Sequence, residues 1–135
     1  MSGKTAYLAG LSAEDQVARL YETHGYHLRA RRWRGRGGEI DLIFEKSGEI
    51  TFVEVKNVSM KEGDYALFPD AVTTRGQKHL KTLIEVKKKG IRAVMLYVIQ
   101  RSDVGVFAPA KAIDPNYAEM LKEAYNKGVE IIPIG

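Results

Sequence analysis

The sequence predicts one α/β domain, a mixed β-sheet flanked by helices in the order α-β-β-β-α-β-α-β. Two patterns carry that expectation. Apolar residues switch along the chain between helical and alternating spacing. The later part reads strand–helix–strand twice, which demands parallel pairing through crossovers. The length agrees, since 135 residues bury a real core but are too few for two ordinary domains.

Each element has a local cause. Ser12 followed by Asp15 marks a helix N-cap with an acid at N3, and Val17, Ala18 and Tyr21 then recur at helical spacing until Gly25. Residues 26–33 alternate Tyr, Leu and Ala against His and Arg, as a strand with one wet face does. Residues 39–44 and 50–57 read as two more strands joined by a hairpin through Ser47 and Gly48. Residues 58–73 show no periodicity and read as a long, functional connection. A helix follows over about 74–89, with Leu80, Leu83 and Ile84 on one face and Gly90 as its stop. Residues 91–99 are nearly all apolar and suit a strand covered on both faces. Asp114 and Pro115 start a last helix, and residues 129–134 form the final strand.

Composition narrows the function classes. Apolar residues make up 44% and charged residues 28%, which excludes a disordered or fibrous chain. There is no Cys, so no disulfide framework and no Cys-ligated zinc site. No apolar run approaches a membrane span, and residues 1–9 make a poor secretory signal, so a cytoplasmic protein with no membrane partner is expected. The net charge of +4 permits a polyanionic partner without requiring one.

The chemistry concentrates in residues 39–56. With Ser47 and Gly48 as the hairpin loop, Asp41 stands opposite Glu54 and Glu39 opposite Lys56. Strict alternation puts all four on one face. Opposed acids are destabilising unless something positive sits between them. Lys56 or a hard cation such as Mg²⁺ or Mn²⁺ would serve, the latter needing only one or two carboxylates. Glu14, on the inward stripe of the first helix, is a candidate third acid. From pairing alone, a surface ion-pair cluster is an equally good reading, with Glu14 complementing the helix dipole.

The strings themselves go further. GEIDLIF followed by TFVEVK resembles the PD-(D/E)XK nuclease signature, an acid on one strand and Glu-x-Lys on the next. Residues 10–56 resemble the YraN family in GLSAED, RGRGGEIDLIF and FVEVK. Residues 54–134 resemble the nuclease-like domain of the sugar fermentation stimulation protein, SfsA, in EVKNVSMKEGDYALFPDAVTTRGQKHL, VIQRSD and DPNYAEMLKEA. A YraN-like half over 1–56 and an SfsA-like half over 57–135 suggest a hybrid joined at the shared EVK. The resemblance implies a restriction-endonuclease-like fold. It also implies that Asp41 and Glu54 are metal ligands, that Lys56 is the catalytic lysine, and that Glu14 matches the helix-borne Glu of Holliday-junction-resolvase-like relatives. Two departures stand out. Ile40 replaces the signature Pro, and the literal Pro69-Asp70 follows EVK instead of preceding it. An SfsA-like chain is also expected to carry an additional N-terminal OB-like domain.

Basic residues supply a candidate DNA surface. Arg29, Arg31, Arg32, Arg34 and Arg36 fall together with no acid among them, and Arg34 and Arg36 lie in a glycine-rich turn beside the acids. Trp33 reads as core packing, with base stacking as the alternative. Arg75, Gln77, Lys78 and His79 open a helix. They read either as a phosphate-binding N-terminus or as the polar start of an amphipathic helix. His24 and His27 read as structural. The expected activity is metal-dependent phosphodiester hydrolysis of DNA, with a homodimer compatible. A non-cutting nucleic-acid-binding module and a hybrid with no selected activity are the alternatives.

Overall fold

The protein is described here by a computed structural model that covers residues 11–35 and 38–135. Helix α1 (Ala13–Thr23) starts at Ser12, whose hydroxyl accepts the Asp15 N–H at 3.1 Å, the expected cap. Strands β1 (His27–Gly35), β2 (Gly38–Lys46) and β3 (Glu49–Val58) form an antiparallel meander. Ser47 and Gly48 close the β2–β3 hairpin at φ +53° and +80°, the left-handed geometry that matches strand twist. Leu42 therefore faces Val53 and Lys46 faces Glu49, the expected register.

Two crossovers complete the main sheet. Helix α2 (Thr74–Lys88) leads to β6 (Arg92–Ile99), and α3 (Pro115–Asn126) leads to β8 (Glu130–Ile134). Strand β6 pairs in parallel with both β3 and β8, giving the order β1-β2-β3-β6-β8. Three short strands escaped sequence reading: β4 (Met60–Glu62), β5 (Tyr65–Phe68) and β7 (Val106–Pro109), which form a second sheet in the order β4-β5-β7. Strands of three or four residues are too short to show a period, and β5 finds β7 only through a distant parallel pairing.

The layers follow from apolar faces. Val17, Ala18 and Tyr21 of α1 cover Leu42, Phe44, Val53, Val94 and Leu96 on one side. On the other side α2, α3 and the small sheet bury Leu80, Leu83 and Tyr117 with Ile43, Met95 and Tyr97. Strand β6 is thus covered on both faces, as its composition demands. The hydroxyls of Tyr97 and Tyr117 hydrogen-bond to each other in this layer. Among the described residues no helix is long and apolar enough to cross a membrane.

One buried carboxylate fixes where α2 and α3 begin. Asp114 caps α3 by accepting the Tyr117 N–H at 2.9 Å. It also accepts the Thr73 N–H at 2.9 Å and the Gln77 side-chain amide at 3.2 Å, while Thr73 itself caps α2 through the Gly76 N–H. The Thr73 N–H leads the contacts that hold the Asp114 carboxyl below its ordinary value of 3.8. A folded-state value below the unfolded one contributes stability that is complete above 3.8 and lost as pH falls through the lowered value. Asp114→Ala should lower Tm at neutral pH by orphaning three donors. Asp114→Asn should show a flatter loss of stability below 3.8 than wild type, which thermal melts across acid pH would measure.

Candidate metal centre at the β2–β3 fork

The β2–β3 ladder stops at Leu42 and Val53, because β2 swings away from β3 at Asp41. Upstream of that point β2 pairs only with β1 and lies against α2. Ile40 packs on the α2 side whereas Leu42, two residues on, packs on the α1 side, so alternation fails between them. On β1, Arg32 sits between the partners of Leu42 and Ile40 and adopts φ +50°, an irregularity at the same level. Gly38 permits the close approach. It has φ +128°, and a Cβ there would stand 2.5 Å from Thr82 Oγ1. The expectation that Glu39 faces Lys56 on a continuous ladder is therefore corrected. Glu39 lies beyond the fork and accepts from Arg34 Nε at 2.8 Å.

Parting two strands leaves backbone amides without partners. Here the acids supply them. Glu54 Oε1 accepts the Asp41 N–H at 2.8 Å, and Asp41 Oδ2 accepts the Val55 N–H at 2.8 Å. Each carboxylate thus spends one oxygen on the other strand's backbone. Glu54 is fully buried, and its Oε2 has no hydrogen-bond donor. Burial, followed by the Glu54 charge, pushes the Asp41 carboxyl above its ordinary range. Two converging carboxylates with an orphaned buried oxygen fit a hard divalent cation, which takes oxygen ligands and needs few from protein.

Lys56 lies on the same side of β3 as Glu54, towards α2. Its Nζ stands 2.7 Å from His79 Nδ1, and Glu54 Oε2 stands 3.0 Å from the same nitrogen without hydrogen-bond alignment. Burial pushes the Lys56 ammonium below its ordinary range. The Glu54 and Asp41 charges oppose that shift, and the Arg75 charge adds to it. His79 is the site residue that sequence reasoning passed over as part of a polar helix start. Its signal was present: Gly76, His79, Leu80 and Leu83 form one buried stripe of α2.

The other expected residues distribute as follows. Glu14 does not join Asp41 and Glu54. It lies 3.3 Å from Arg31, which bonds Asp15 at 2.7 Å, on the α1 side of the sheet. Among the described residues no group of three or more His, Cys, Asp or Glu side chains could hold a metal, so the fork offers two acids, not three. Arg34 is 81% exposed and Arg75 77% exposed, both beside Glu39, and form a rim above the fork. Arg32 and Lys78 are exposed, whereas the Gln77 amide is committed to Asp114. Arg29 pairs with Glu45. Arg36 lies outside the described residues. Trp33 divides between its two readings: its ring packs edge-on against Phe52 and over Gly35, yet 37% stays exposed.

Comparison with known proteins places the chain in a family. The family model described as "Sugar fermentation stimulation protein RE domain", SfsA, matches residues 7–135. The chain belongs to the SfsA family. The match runs unbroken through Glu54–Lys56, so one family accounts for both halves, and the YraN-like half and the hybrid join gain no separate support. A sugar fermentation stimulation protein homologue of Citrifermentans bemidjiense is 43% identical over 133 residues, covering 96% of this chain and 58% of its own. The Geobacter sulfurreducens homologue is 51% identical over 98 residues, covering 73% of this chain and 42% of its own. The chain therefore spans about half the length of these relatives. The structure of Pyrococcus furiosus SfsA in complex with Ca²⁺ superposes with a TM-score of 0.81 at 38% identity, over 89% of this chain and 52% of that one.

The shift on Asp41 has a measurable sign. A folded value above the unfolded one means that stability falls as pH rises through it, so ionised Asp41 is a net cost at neutral pH. Asp41→Asn retains an oxygen for the Val55 N–H and removes the charge. With chelator present, this variant should melt a few degrees above wild type at neutral pH. The gap should close below 3.8, and a lower Tm at neutral pH would contradict the account.

Proposed function

We propose that this SfsA-family chain is a metal-dependent nuclease-like domain that hydrolyses phosphodiester bonds of DNA. The observation that carries the reading is the fork: two carboxylates converge, one buried oxygen has no donor, and a lysine stands on the same side. The Pyrococcus furiosus SfsA structure in complex with Ca²⁺ supports a site for a hard cation in this family. Asp41 and Glu54 would hold Mg²⁺ or Mn²⁺, and such a cation supplies positive charge to a phosphate oxygen and acidity to a water.

The chain's own residues account for the rest. The backbone contacts at Asp41 N and Val55 N fix both carboxylates before any ligand arrives, so little reorganisation is required. Lys56 Nζ has only protons to offer. Beside the acids it donates to a phosphate oxygen as negative charge grows there, or orients the attacking water. Water attack at phosphorus breaks the bond to the leaving oxygen, which departs with a proton. The rim guanidinium groups of Arg34 and Arg75 suit backbone phosphates, which position the strand without reading sequence.

The test is a set of labelled duplex, single-stranded and branched DNAs incubated with Mg²⁺ or Mn²⁺. Asp41→Asn and Lys56→Ala should each lower metal-dependent cleavage by about a hundredfold or more, the scale of losing one charge-stabilising group, while folding is retained. Unchanged cleavage in both variants would remove the assignment. On the binding side, Arg34→Ala with Arg75→Ala should weaken DNA affinity for every sequence and reduce the salt slope by roughly two. An unchanged slope would take these arginines out of the interface.

A further inference from the structure

The cation reading leaves His79 without a role, although it is buried between a lysine and a carboxylate. Its Nδ1 lies 2.7 Å from Lys56 Nζ and 3.0 Å from Glu54 Oε2. One ring nitrogen cannot serve both. An ammonium only donates, so contact with Lys56 requires a lone pair on Nδ1 and places the neutral ring's proton on Nε2. Contact with Glu54 would require the proton on Nδ1. The geometry separates the two: the Lys56 contact is a hydrogen bond, whereas Oε2 receives none.

Resting on the cation reading of the fork, we infer that His79 is a positioning residue whose Nδ1 holds Lys56 Nζ away from Glu54 and so keeps Oε2 open for a divalent cation. Take the acceptor at position 79 away and the ammonium turns to the acids, whose charges already act on it. It would then swing onto Oε2 and form the ion pair that the present arrangement lacks. Ammonium and cation would compete for the same lone pairs. The position of His79 comes from the helix and not from the lysine. It shares the buried stripe of α2 with Gly76, Leu80 and Leu83, and the start of that helix is tied down by Thr73 and Asp114.

Two measurements test this. The first is calorimetric titration of the folded protein with Mn²⁺ alone. His79→Leu should lose about tenfold or more in affinity, the usual cost of removing an outer partner of a metal ligand. His79→Asn, which keeps an acceptor near the Nδ1 position, should bind close to wild type. The double variant His79→Leu with Lys56→Met should recover, because the competitor is gone. The second is a proton–nitrogen correlation spectrum of the metal-free imidazole at mildly alkaline pH. Wild type should show the Nε2–H tautomer. Lys56→Met should shift towards Nδ1–H, now free to donate to Oε2. Wild-type affinity in His79→Leu, no recovery in the double variant, or an Nδ1–H tautomer in wild type would each overturn the inference. If wild type takes up no Mn²⁺, the cation reading itself falls, while the spectra still decide whether Lys56 holds Nδ1. The spectra also decide it if His79→Leu fails to fold.

Discussion

Everything at this site depends on a reciprocal exchange across the parting of two strands. Asp41 supplies a backbone N–H to Glu54 and a carboxylate oxygen to Val55, so each strand closes the other's broken ladder. Had β2 and β3 stayed paired past Leu42, those amides would be used in the sheet and the acids would stand on a flat face. The fork turns the hairpin from a structural unit into a receptacle. It does so with the residues that would line that receptacle.

This arrangement carries a physical cost. Carboxylates are stabilised when several amides donate to them, but here each acid receives one, and Glu54 keeps a buried oxygen with no donor. Burial and the neighbouring charge both act against ionised Asp41. A cluster optimised for stability alone would replace one acid or place a cationic side chain between the two. Instead Lys56 is engaged by His79, and Arg31 is engaged by Glu14 and Asp15 on the far side of the sheet. The Lys56 charge still acts on both acids but donates no hydrogen bond to Glu54 Oε2, and Arg31 is spent on Glu14 and Asp15. Strain of this kind concentrates at functional sites, where a ligand completes what the chain leaves open.

Much of the fold was legible in the sequence, because the larger elements announce themselves locally. Ser12, Asp114 and Pro115 mark helix starts, Ser47-Gly48 sets the hairpin register, and residues 91–99 read as a doubly covered strand. The small sheet was not legible, since β4, β5 and β7 are shorter than any readable period. At the site, the hairpin register holds only as far as Leu42 and Val53. Asp41 meets Glu54 through a backbone-to-carboxylate hydrogen bond at the fork and not as a ladder pair, and alternation alone could not foresee the fork. That depends on Gly38 lying over Thr82 and on the left-handed backbone of Arg32 across the ladder. Glu14 was misplaced for a related reason. An inward stripe shows that a side chain faces the sheet, not which partner waits there, and the partner is Arg31. His79 shows the reverse error, a buried member of an apolar stripe hidden in a polar string.

The most direct measurement of the central claim is a crystal soaked in Mn²⁺ and recorded at the manganese absorption edge. The account predicts an anomalous peak within coordination distance of Glu54 Oε2 and an Asp41 carboxylate oxygen, with Lys56 still on His79. Saturating metal with no peak at the fork, or a peak held by other residues while Oε2 gains a donor from the protein, would contradict it.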